Sequence, residues 1–261
     1  MGSVWHTAIA NQLASSNGVS NSAIASSVNI PSVEHQQTSF LSRLNPKRAT
    51  IVFQVGGFNA TQGNAQNVGI NGLIGDYFTV NHRNASNVLL GLGYYFNGLE
   101  RNQFSLLYGI NAFYLAPTTV QGNVIQEQLF TNLSYRYSIT QYPIYIATKV
   151  LINTSSDKYS ITCDLGIGPN IIKTSDFSER SLDGGMTLPD NAFTGQTNVA
   201  FSATVGVGIK FNNVIARLPF EVGYRFFYLG QGSLSKSNNQ ILNTLKTGNN
   251  YANALIFSIY A

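Results

Sequence analysis

The sequence predicts an all-β fold: a closed, antiparallel, up-and-down transmembrane β-barrel of eight strands, with ten as the alternative. Three observations lead there. From Ala49 onward, apolar residues alternate with small or polar ones at a period of two, which is the period of a strand and not of a helix. The alternating runs last about ten to sixteen residues, longer than the ~5–6 of soluble strands and sufficient for the ~9–11 of a tilted strand in a bilayer. Charged residues are only 10% of the 261, well below the ~25% usual in soluble proteins.

The runs fall at 49–58, 86–97, 103–116, 128–139, 143–153, 158–172, 197–211, 214–230 and 250–260. In 103–116, Phe104, Leu106, Tyr108, Ile110 and Tyr114 alternate with Ser105, Leu107, Gly109 and Asn111. In 158–172, Tyr159, Ile161, Cys163, Leu165 and Ile167 alternate with Ser160, Thr162, Asp164, Gly166 and Gly168. The cleanest run is 201–211, with Phe201, Ala203, Val205, Val207, Ile209 and Phe211 on one face. The last places Tyr251, Asn253, Leu255, Phe257 and Ile259 on one face. Connections at 97–102, 154–158 and 212–213 are short and rich in turn formers, that at 116–127 is intermediate, and those at 59–84, 173–195 and 231–249 are long and polar. Such asymmetry is usual in membrane barrels, but nine runs are odd where single-chain bacterial barrels are even. Around 139–144 the apolar face shifts from odd positions (Leu133, Tyr135, Tyr137, Ile139) to even ones (Ile144, Ile146). A one-residue bulge at Pro143 would account for that shift and merge two runs into one strand, giving eight. An extra strand at 73–80 would instead give ten.

Residues 1–48 are Ser/Asn/Ala-rich and aperiodic, and read as a flexible leader before a barrel domain at 49–261. They lack the basic start and apolar centre of an export signal. A single cysteine, Cys163, excludes an internal disulfide. The net charge of +4 comes from scattered residues, with Lys47-Arg48 the only doublet, so nucleic acid is not an expected partner. His6, His35 and His82 all lie outside the strands, which supports no metal cluster, no His-centred triad, no cofactor and no enzyme. The pairs Gly91/Gly93, Gly166/Gly168 and Gly206/Gly208 lack a phosphate-loop context and read as space for inward side chains.

The stretch 216–230, ARLPFEVGYRFFYLG, sets Arg217, Glu221 and Arg225 four residues apart. That spacing puts all three on one face of a helix or of a strand. Pro219 and Gly223 oppose a helix, so Leu218, Phe220, Val222, Tyr224, Phe226 and Tyr228 are expected to meet lipid, with a bulge near Pro219. The charges then point into the lumen, and the same parity sends Asp164, Lys149, Arg136 and Lys210 inward. They form either an internal salt-bridge network that fills a narrow barrel or the lining of a path for ions or small solutes.

The segments 86–96 (SNVLLGLGYYF), 200–211 (AFSATVGVGIKF) and 220–228 (FEVGYRFFY), with an amphipathic last strand, resemble the small outer-membrane β-barrels of Gram-negative bacteria, the OmpA/OmpX-like family. The resemblance covers roughly 49–261 and rests on patterns, not on a catalytic signature. It implies an eight-stranded barrel in the bacterial outer membrane, inserted by the barrel assembly machinery and surrounded by outer-membrane lipid. Expected roles are envelope integrity, surface interaction through long extracellular loops, or porin-like permeability. The chain departs from the pattern in ending on Ala261 after Tyr260, where an aromatic residue usually comes last.

Overall fold

The computed structural model describes residues 49–261 except 155, 157, 216 and 217. The expected leader and Arg217 lie outside the described residues. Every regular element described is a strand, and there are twelve: β1 (Ala49–Thr61), β2 (Gln66–Val68), β3 (Asp76–Phe78), β4 (Asn84–Glu100), β5 (Phe104–Gln126), β6 (Phe130–Asn153), β7 (Tyr159–Ser181), β8 (Phe193–Thr194), β9 (Thr197–Ile215), β10 (Leu218–Ser233), β11 (Ser235–Lys236) and β12 (Lys246–Tyr260).

Eight of them form a closed ring. β1 pairs with β4, and antiparallel pairing continues through β5, β6, β7, β9, β10 and β12. β12 then returns to β1 with Val52 opposite Tyr260 and Thr61 opposite Tyr251, so neither terminal strand has a free edge there. The segment 73–80 is not a ninth stave: only β3 forms within it, and β3 lies against the far end of β5 through Tyr77↔Ile125.

The section of the ring towards the short turns is apolar outside. Phe53, Leu90, Ile110, Ile146, Leu165, Val205 and Leu255 all project outward, with Ile146 75% exposed. Outward aromatic residues border this band, with Tyr94, Phe96 and Tyr108 towards the short turns and Tyr228 and Tyr251 towards the long loops. A band of this composition with aromatic girdles is the lipid-facing surface of a membrane barrel.

β5, β6 and β7 continue well past this band, being 23, 24 and 23 residues long. Their outer face changes there to Thr119, Gln121, Ser138, Arg136, Lys173 and Arg180. Their inner face becomes apolar, and Val120, Val124, Leu133, Tyr135, Tyr137, Ile139 and Ile172 pack with Val68, Phe78, Phe193, Leu234, Ile241 and Leu245 from the long connections. A second hydrophobic core therefore sits above the membrane section and closes the long-loop mouth.

Several sequence expectations change accordingly. β6 runs through Pro143 in unbroken register, Pro143 opposite Asn170, and its odd positions point inward from Leu133 to Leu151. Leu133, Tyr135, Tyr137 and Ile139 thus form the upper core and do not meet lipid. The bulge falls instead on β5, where the three steps from Leu115 to Thr118 match two steps of β6, from Gln141 to Ile139, at Ala116-Pro117. A second extra residue sits on β7 at Asp176, whose φ of 55° turns Phe177 towards the upper core. The connection expected at 116–127 is largely strand, and Asn212-Asn213 lie within β9 and not in a turn. The bulge expected near Pro219 coincides with a register shift between Leu218 and Phe220.

Candidate functional site

Charge is concentrated at one level of the membrane section. Reading across the ladder, Lys149 on β6 is opposite Asp164 on β7, Asp164 is opposite Gly206 on β9, and Gly206 is opposite Arg225 on β10. Gly206 is the spacer of this row. A Cβ there would stand 3.1 Å from the Tyr224 carbonyl oxygen, 3.4 Å from Arg225 Nε and 3.5 Å from the Asp164 Cβ, so the two charged groups already occupy the space over Gly206 and leave none for a longer side chain. Arg225 Nη2 lies 3.1 Å from Asp164 Oδ2. Lys149 Nζ lies 3.1 Å from Asp164 Oδ1 and donates across the lumen to both oxygens of Glu221 at 2.8 Å.

These four side chains are buried, Lys149 completely, and their formal charges cancel. Two cations and two carboxylates this close neutralise each other where either alone would be costly. Aromatic groups complete the plug. Tyr260 donates its hydroxyl to Glu221, and its ring faces Lys149 and Lys210, whose Nζ is 4.4 Å from the centroid. The Arg225 guanidinium lies 5.2 Å over the Phe113 ring, and Phe113 meets Phe227 edge to face at 5.2 Å. Tyr145 and Tyr95 fill the same interior, and the Tyr95 hydroxyl accepts from Asn111 Nδ2 at 3.1 Å.

Of the residues expected in the lumen, the fold brings Lys149, Asp164, Glu221 and Arg225 together and sets half-buried Lys210 at the edge of the group. Arg136 is not among them. It is exposed on the outer face above the membrane band, where its Nε donates to Ser178 Oγ at 3.2 Å. The reason is the unbroken parity of β6: Lys149 and Arg136 are an odd number of residues apart, so with no phase slip they face opposite sides. Tyr260, Tyr145, Phe113 and Phe227 were missed as lumen residues. The signal for Tyr260 was present, since strand parity that sends Phe257 and Ile259 outward sends Tyr260 inward.

The inward glycines have the expected use. A Cβ on Gly91 would stand 2.7 Å from the Phe113 ring, and one on Gly93 would stand 2.6 Å from Tyr95. Towards the short turns the interior opens into a cavity of about 450 Å³, lined by Leu107, Leu151, Lys210 and Tyr260 among others.

Closed ring, apolar outer band and inward-facing buried charges define an eight-stranded transmembrane β-barrel. No protein-family model matches the chain, and no curated protein sequence does. Among solved structures the chain is similar to the outer membrane protein OprG from Pseudomonas aeruginosa (11% identity, 82% of this chain and 96% of that one, TM-score 0.45). It is also similar to the outer membrane protease OmpT from Escherichia coli (11%, 83% and 97%, 0.44) and to Neisserial surface protein A (10%, 82% and 98%, 0.39).

Proposed function

We propose that the chain is an outer-membrane protein of a Gram-negative bacterium whose barrel is a closed anchor, with a structural and surface-interaction role exercised through its extracellular cap. The observation that carries this reading is the neutral, fully buried group of Lys149, Asp164, Glu221 and Arg225, backed by Tyr260 and Phe113. Each of these four charged groups is ion-paired within the group, and the upper core lies over the long-loop mouth. In this orientation the short turns, with the Ala49 end of β1 and the Tyr260 end of β12, face the periplasm, as in bacterial barrels generally. Lipid on the apolar band and the barrel assembly machinery during insertion are the partners this reading implies, with an extracellular ligand reached through the loops.

Single-channel recording of purified protein in planar bilayers tests it. Silence is expected, and steady openings would replace the closed anchor with a porin-like path for ions or small solutes. The proposal assigns no catalytic role, and turnover of a lipid or peptide substrate by purified protein would overturn that part.

A further inference from the structure

The outermost tip of the cap carries a feature that neither the barrel nor its plug requires. Leu73, Ile74, Leu129, Phe130, Leu182 and Met186 are large apolar side chains, all more than half exposed, and Met186 reaches 84%. They belong to three different connections, but hydrogen bonds join those connections edge to edge. The Ile74 N–H donates to Glu127 Oε2 at 3.0 Å, and the Leu182 N–H donates to the Asn132 carbonyl at 2.7 Å. The tip is also held in shape, since Asp183 accepts from Ser181 Oγ, Thr187 Oγ1 and the Thr187 N–H. These residues stand beyond the polar outer face of β5, β6 and β7, so lipid of the protein's own membrane does not cover them. An exposed apolar patch of this kind on an ordered scaffold marks a contact surface.

Charge selects the occupant. The segments 69–78, 127–132 and 182–192 contain Asp76, Glu127, Asp183 and Asp190 and not one Lys or Arg, within a chain whose net charge is +4. A second copy would bring the same acidic rim against itself. A bilayer surface is zwitterionic or anionic, and the tip also lacks the Trp, Lys and Arg that anchor at lipid interfaces. We infer that the tip is a docking surface for a protein whose contact face is apolar at its centre and rimmed by Lys or Arg. This rests on the cap being extracellular, and it narrows the surface-interaction reading to one face and one partner chemistry.

The test uses the full chain in phosphatidylcholine nanodiscs, with empty nanodiscs as reference. Two synthetic amphipathic peptides of equal length serve as probes, one of Leu and Lys, the other of Leu and Glu. The Leu–Lys peptide is expected to bind the loaded discs at least about tenfold more tightly than the Leu–Glu peptide or the empty discs, and to weaken as salt is raised. L129S/F130S and, independently, L73S/M186S should each remove that difference while the heat-dependent gel shift of the barrel persists. E127Q/D190N should lower it and flatten the salt dependence. Equal binding of both peptides, binding unchanged in the tip variants, or preferential binding of phosphatidylcholine or phosphatidylglycerol vesicles through the tip would overturn the inference. Channel recordings report on the closed barrel separately, so a silent protein with an inert tip would sink this inference alone.

Discussion

In the membrane section of β6 the outward residues are Tyr142, Ile144 and Ile146, and the inward ones are Gln141, Tyr145 and Lys149. Further up the same strand Ser134, Arg136 and Ser138 face outward, and Leu133, Tyr135, Tyr137 and Ile139 face inward. The backbone does not change phase between the two stretches; the surroundings do. Below, the outer solvent is hydrocarbon and the lumen holds the polar groups. Above, the outer solvent is water and apolar groups retreat inside, as in a soluble domain. One ring thus contains two proteins of opposite sense joined end to end, and each half is stabilised by what would destabilise the other.

The largest effect expected from this contrast is at the plug. Lys149→Met leaves Asp164 with Arg225 but removes the cation bonded to both oxygens of Glu221, which keeps the Tyr260 hydroxyl and half-buried Lys210 opposite it on β9. Breaking a buried charge pair in this way costs about 3–5 kcal/mol. The urea midpoint of the heat-dependent gel shift should fall accordingly. A companion neutral pair, Lys149→Met with Glu221→Gln, should recover part of the loss, because the uncompensated carboxylate is gone. Equal midpoints for Lys149→Met and the native protein would show that the four charges do not hold the barrel together.

A comparable local cost is expected in the upper core, with a different reach. Phe78 is buried edge to face against Tyr135 and Phe193. Phe78→Ala should cost about 3–5 kcal/mol where it is felt. Because the membrane ring closes without it, the loss should appear as faster proteolysis and hydrogen exchange in 62–83 and 182–196, with the gel shift of the barrel unmoved. If barrel and cap melt together, the two halves are one cooperative unit.

Much of this was legible in the sequence, and the misreadings follow from the same contrast. In the membrane section alternation alone located the staves and sent Asp164, Lys149, Glu221 and Arg225 to one face, since lipid requires an apolar outside at every step. Past Pro117 and Ile139 the rule that apolar means outward reverses, and sequence alone does not mark where water begins. The odd apolar positions of β6 therefore looked like a bulge, and Arg136 was sent inward with the wrong parity. The tight turn at Glu127 and Gln128, both at positive φ, was hidden for the same reason, because the upper part of β5 leading to it read as a connection. Cross-strand contacts such as Lys149 to Glu221, 72 positions apart in the chain, come only from closure of the ring.

Matched substitutions on the outer face sharpen the boundary. Val205 faces outward at the middle of the apolar band of β9. Val205→Arg should cost ~2–4 kcal/mol, the penalty for a cation at the lipid midplane. Ser138→Arg, outward on β6 beyond the band, should change stability by under about 0.5 kcal/mol, as for an ordinary surface site. Urea midpoints in the same lipid decide it, and equal losses would mean that the band extends over the upper section.

The smallest effect separates two kinds of carboxylate within the cap, Asp76 and Glu179 on one side and Asp183 on the other. Burial raises the Asp76 carboxyl above its ordinary value, against the opposing hydrogen bond from the Glu127 N–H, and the nearby charges of Glu127 and Asp190 raise it further. Burial likewise raises Glu179, although the Asn191 N–H donates to it at 2.8 Å. Asp183 moves the other way, lowered first by its hydrogen bonds from Ser181 and Thr187. The raised groups hold their protons more firmly folded than unfolded, so their contribution is full below the ordinary carboxylate range near 4 and fades as pH rises past their own values. The lowered group contributes above that range and loses its contribution as pH falls through it. Acidification from neutral to about pH 4 should therefore slow exchange, corrected for intrinsic rate, around Asp76 and Glu179. The Ser181–Asp183–Thr187 turn should loosen only below that, and Asp76→Asn should abolish the response around Asp76 while leaving those around Glu179 and the Asp183 turn in place. A single uniform response across the cap would mean that neither carboxylate's environment is as placed.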